Sequence, residues 1–107
     1  MRVNVKPLSV NEAWKGRRYK TDKYLAYETE LFYKLPKITL PKPPYEVYFR
    51  FGFSSMSSDW DNPVKPTQDV LSKKYGFNDK LIKRAVVETE KVKRGDEYFE
   101  FEIKTYE

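Results

Sequence analysis

A chain of 107 residues, 39% hydrophobic and 35% charged, is a single domain over 1–107, long enough to bury one core and too short for two. Its formal charge is +5, and it has neither cysteine nor histidine. That excludes disulfides, thiolate metal sites and a cysteine nucleophile, and it removes the usual zinc ligand and the commonest general base near neutral pH.

The charge is unevenly spread. Residues 95–107 hold one lysine against five carboxylates, a balance of −4, so +9 remains on residues 1–94. Such asymmetry predicts a polyanionic partner, nucleic acid first. No apolar run approaches the roughly 20 residues of a membrane span, and Arg2, Asn4 and Lys6 interrupt the opening of the chain, so a cytoplasmic protein without a membrane segment is expected.

Val3 and Val5 alternate with polar neighbours and predict a short strand over 2–6, ended by Pro7. From Pro7 to Thr21 the pattern is irregular and basic. Thr21 is a natural N-cap for a helix that places Tyr24, Tyr27, Leu31 and Leu35 on one face and closes before Pro36. Four prolines over 36–44 read as a connection, the alternative being a proline-rich ligand for another domain.

Tyr45, Val47, Phe49, Phe51 and Phe53 then alternate with Glu46, Tyr48, Arg50 and Gly52, the clearest strand of the chain. The serines of 54–58 break that pattern. Asn62 as N-cap and Pro63 at the first helical position open a second helix, with Val64, Thr67, Leu71 and Tyr75 on one face and Gly76 as terminator. A weaker strand over 82–93, a turn at Arg94-Gly95-Asp96 and a last strand carrying Phe99, Phe101 and Ile103 complete the order β-α-β-α-β-β. This is an α+β fold, helices packed on a mixed β-sheet.

Chemistry concentrates around the second helix. Asp59 and Asp61, two residues apart on an extended segment, point the same way, and oxygen ligands are what a hard cation requires. Aspartates before a helix also serve as caps. Lys65, set against the positive end of the helix dipole, either contacts a substrate phosphate or pairs with Asp69 one turn on. Asp79 is either a third carboxylate for the same ion or a turn residue. Lys15, Arg17, Arg18, Lys20 and Lys23, interleaved with Trp14, Tyr19 and Tyr24, are the candidate contacts to a nucleic-acid backbone; Trp60 is a candidate for stacking on bases.

The pattern Asp59-x-Asp61-Asn62-x-x-Lys65-x-x-x-Asp69-x-Leu71, followed by Gly76 and Asp79, resembles the RusA-like Holliday-junction resolvases, the crossover junction endodeoxyribonucleases. Pro7-Leu8-Ser9-Val10-Asn11 and the Arg18–Tyr27 region are similar to the N-terminal part of that family, so the likeness covers essentially the whole chain. The resemblance implies a homodimeric, Mg²⁺-dependent endonuclease that nicks four-way DNA junctions in pairs, in recombination, repair or phage DNA processing. Asp59, Asp61 and Asp79 would be its metal ligands and Lys65 its catalytic cation, with Mn²⁺ a plausible substitute ion. The chain departs from the family in the serines of 54–58, where basic residues can stand, in Asn78, where a second acidic residue often precedes the ligand, and in Pro66. The competing expectations are a nuclease acting on other branched DNA or on RNA, and a non-enzymatic nucleic-acid-binding or adaptor protein on the same fold.

Overall fold

In the computed structural model, which describes residues 1–8, 14–15, 19–55 and 60–107, the elements run β1 (Arg2–Val3), β2 (Trp14–Lys15), β3 (Tyr19–Lys20), α1 (Asp22–Lys34), β4 (Tyr45–Phe53), α2 (Val64–Tyr75), a short 3-10 helix (Asp79–Leu81), β5 (Ile82–Lys91) and β6 (Tyr98–Thr105). Four strands form one mixed sheet in the order β1-β6-β4-β5, with β4 and β5 parallel and the other pairs antiparallel. The crossover between the parallel strands is α2, as a parallel pair requires. The α+β architecture and the β-α-β-α-β-β order expected from the sequence are both present, with helices packed on the mixed sheet. Within 7–21, read as irregular, the structure adds a two-stranded antiparallel ribbon, β2 paired with β3.

The core follows the hydrophobic alternation of β4. Tyr45, Val47, Phe49 and Phe51 are buried, and in register opposite them on β6 lie Phe99 and Phe101. Phe99 stacks on Phe51 with centroids 5.2 Å apart and on Phe101 at 5.5 Å. Onto this face α1 lays Tyr24, Tyr27, Leu31 and Leu35, spaced every three or four residues, and α2 adds Val70 and Leu71. Each fully buried aromatic or aliphatic side chain contributes about 1.5–3 kcal/mol, so this one cluster dominates stability.

The opposite face of the sheet is polar and cross-linked between strands. Glu46 pairs with Arg84 at 3.2 Å, Arg50 with Glu90 at 3.0 Å and Arg2 with Glu100 at 3.1 Å. Gly52 is the exception to the alternation, and its reason is steric: a Cβ there would run into the ring of Tyr98, its register partner on β6. That ring is held between the strand and the Arg2 guanidinium, 3.9 Å above it, while its hydroxyl donates to Glu90 at 2.8 Å.

Helix ends match local chemistry at three of four places. Thr21 caps α1, its Oγ1 accepting from the Tyr24 N–H at 3.1 Å, and the helix stops at Leu35, where the following proline disfavours helical backbone. Gly76 ends α2 with φ 69°, and both its N–H and that of Phe77 donate to the Ser72 carbonyl. The start of α2 differs from expectation. Asp61–Pro63 form a turn in which the Val64 N–H donates to the Asp61 carbonyl at 3.1 Å, and Pro63, not Asn62, takes the cap position without any side-chain bond. An i-to-i+3 bond satisfies the orphan N–H that the Asn62 side chain was expected to serve. Pro66 is buried inside the first turn, where its lacking N–H costs nothing.

The proline-rich connection belongs to the compact fold. Tyr75 donates to the Pro36 carbonyl at 2.7 Å, Thr105 to the Lys42 carbonyl at 2.6 Å, and the Tyr106 N–H to Pro44 at 2.8 Å. Among the described residues no helix is long and apolar enough to cross a membrane.

Candidate functional site

Because Gly76 reverses the chain, the segment that follows α2 returns alongside it, and the 3-10 turn begun by Asn78 sets Asp79 beside the first half of the helix. Asn78 Oδ1 caps that turn, accepting from the Lys80 N–H at 2.9 Å. Asn78 thus serves the turn as a side-chain acceptor. Asp79 Oδ2 then lies 3.6 Å from Lys65 Nζ and accepts from Gln68 Nε2 at 3.4 Å.

Lys65 meets two carboxylates. Its ammonium donates to Asp69 Oδ1 at 2.8 Å, the pairing one turn on that the sequence offered as the plainer role, and it also reaches Asp79. The pair with Asp69 is therefore a real contact, and the approach to Asp79 adds a second carboxylate to it. The hydrogen bond to Asp69, and then the charges of Asp69 and Asp79, raise the Lys65 pKa above its ordinary value, so the group is cationic throughout the physiological range. Its side chain remains 60% exposed, open to a ligand from solvent.

The other expected site residues fall as follows. Asp61 is exposed, its carbonyl engaged by Val64 and its carboxylate without a hydrogen bond or ion pair among the described residues. Asp59 lies outside the described residues, as do Arg17, Arg18 and the segment 56–58. Among the described residues no three carboxylates gather as a metal site would need. Lys15 stands in β2; Lys20, in β3, donates to Glu28 Oε2 at 2.9 Å and lies 4.7 Å over the Tyr24 ring. Lys23 lines a separate depression with Lys6 and Tyr27. Tyr24 and Tyr27 are core residues, whereas Trp60 is 60% exposed beside Asp61.

The donor types suit Mg²⁺. Among the described residues Asp61 makes no side-chain hydrogen bond or ion pair and Asp79 makes two long contacts, and carboxylate oxygens are the donors a hard cation takes.

Sequence reasoning overlooked Glu28 and Lys73. Glu28 Oε2 also accepts from Lys73 Nζ at 2.9 Å, which joins α1, α2 and the ribbon at one oxygen. Burial raises the Glu28 pKa, but the bonds from Lys73 and Lys20 outweigh it and hold the carboxyl below its ordinary value. A signal was present: Lys65, Asp69 and Lys73 recur every four residues, a charged stripe along α2. Lys20, Lys73, Tyr24, Asp69 and Asp79 all line one cleft of about 300 Å³. Burial and then the nearby Asp69 charge push the Tyr24 pKa up to about 12.

Compared with protein-family models and with curated proteins, the chain gives no match.

Proposed function

We propose that the chain is a Mg²⁺-dependent, structure-selective DNA endonuclease that cuts four-way junctions as a homodimer. The observation that carries this reading is the 3.6 Å approach of Lys65 to Asp79, which joins the two separated halves of the resolvase-like pattern across an intervening helix. Neither residue belongs to the hydrophobic core, and both side chains reach solvent, Lys65 at 60% and Asp79 at 38% exposure.

Asp61 and Asp79, with Asp59 by resemblance, would hold the ion; a bound Mg²⁺ supplies an activated water and offsets charge on the leaving oxygen. Lys65, bonded to Asp69 and 60% exposed, would offer its ammonium to a phosphate and stabilise charge that grows during attack. The basic residues Lys15, Arg17, Arg18, Lys20 and Lys23 contact the backbone phosphates, and exposed Trp60 stacks on a base near the branch point. Paired incision across a junction calls for two equivalent sites, which a two-fold dimer provides.

The test is incubation of the protein with labelled four-way junction, fork, duplex and hairpin RNA, with Mg²⁺, with Mn²⁺ and with chelator. Paired nicks in the junction that require the divalent ion, and their disappearance in Asp61→Asn while junction binding survives, are the expected result. Preferential cutting of RNA or of another branch would overturn the substrate. Junction binding without cleavage under any ion would establish the adaptor alternative.

A further inference from the structure

Two ammonium groups meet on a single oxygen in this fold. Lys20 Nζ from β3 and Lys73 Nζ from the last turn of α2 each lie 2.9 Å from Glu28 Oε2, so the two cations are at most twice that, 5.8 Å, apart. Like charges this close repel, and the carboxylate between them is what holds them together. The trio carries a net charge of +1. Its side chains differ in exposure, Glu28 at 20%, Lys20 at 27% and Lys73 at 53%, and both lysines line the 300 Å³ cleft that Asp79 also lines.

A phosphodiester presents the same features as the Glu28 carboxylate: one negative charge shared by two terminal oxygens, each able to accept from an ammonium at hydrogen-bond distance. We propose that Lys20 and Lys73 form a phosphodiester subsite, kept assembled in the free protein by Glu28, which takes a DNA backbone phosphate in place of that carboxylate. Asp69, the nearest carboxylate on the same helix, is neutralised by Lys65 and offers little opposition. Lys73 follows Lys65 by two helical turns, about 12 Å at 1.5 Å per residue, so the phosphate it takes is a different one from that facing Lys65. The subsite thereby sets the direction in which a strand crosses the candidate catalytic residues. It rests on the reading that the chain binds DNA, not on cleavage.

The experiment is anisotropy of a fluorescein-labelled four-way junction and a matched duplex, without divalent ion, over a potassium chloride series. Lys20→Ala and Lys73→Ala should each weaken binding and flatten the slope of log K against log salt by about one. Lys73→Arg should retain the slope. Glu28→Gln, which removes the competitor while keeping its shape, should bind several-fold tighter than wild type, and Lys83→Ala, an equal charge removed from exposed β5, should leave the slope unchanged. Thermal melts confirm that each variant is folded. Wild-type slopes in both alanine variants, with Glu28→Gln no tighter, overturn the subsite even if the wild-type protein cuts junctions. A flattened slope in a protein that never cuts supports the subsite and removes the nuclease reading instead. Failure of the wild-type protein to bind DNA overturns the subsite.

Discussion

Replacing Lys65 by methionine separates a structural role from a catalytic one by magnitude. The Lys65–Asp69 pair spans one turn on an exposed face, with the lysine side chain 60% in solvent, and such pairs contribute about 0.3–0.5 kcal/mol. The second contact, to Asp79 at 3.6 Å, is longer and as exposed, and screening leaves it a few tenths at most. Against both stands the lysine's place in the first turn of α2, where the helix dipole opposes a cation by about 0.3–1 kcal/mol. Methionine and lysine have nearly equal helix propensity, so these opposing effects leave stability unchanged to within about 0.5 kcal/mol. If Lys65 faces the phosphate during attack, its loss removes a positioned charge of the kind worth about 10²–10³ in rate, or about 2.7–4 kcal/mol. Urea unfolding gives the first quantity and single-turnover cleavage of a four-way junction at saturating Mg²⁺ the second. A variant that cuts within about threefold of wild type, a difference below 1 kcal/mol, would refute the catalytic role and leave Lys65 a surface helix pair.

Three further outcomes follow from packing and charge. Tyr27→Phe should cost about 1–3 kcal/mol in urea unfolding, because its hydroxyl is 2.7 Å from that of Thr67, which is fully buried and would be left unpaired; adding Thr67→Val should recover most of the loss, and additive single effects would contradict the pairing. Gly52→Ala should destabilise by about 1–3 kcal/mol through overpacking against Tyr98, whose ring is held by Arg2 and Glu90, and a simultaneous Tyr98→Ala should relieve the clash itself. Glu28, with its folded pKa depressed below the ordinary 4.5, contributes stability that is fully present above that value and is lost as the pH falls through the lower folded one. Glu28→Gln should therefore lower the melting temperature slightly at neutral pH and not at all near pH 2, and an equal effect at both would show that the two lysines do not stabilise the carboxylate.

Much of the architecture was legible in the order of residues because period and punctuation agree. The alternation from Tyr45 to Phe53, the three-and-four spacing of Tyr24, Tyr27, Leu31 and Leu35, the Thr21 cap and the Gly76 stop are local signals, and local backbone geometry answers to them directly. The miss at Asn62 is also local: a cap residue competes with a backbone bond three residues away, and the turn closed by the Asp61 carbonyl won.

What the order of residues cannot express is which charged stripe meets which. Lys65, Asp69 and Lys73 stand visibly in line on α2, and Glu28 on α1, yet only the packing of the two helices over the β4–β6 aromatics turns those lines toward one cleft and brings Lys20 to the same oxygen as Lys73. The reversal after Gly76 does the same for Asp79, carrying it back to Lys65. Secondary structure depends on neighbours in the chain, whereas ion pairs between elements depend on how buried faces fit, and that fit is decided by a core to which none of the charged residues belongs.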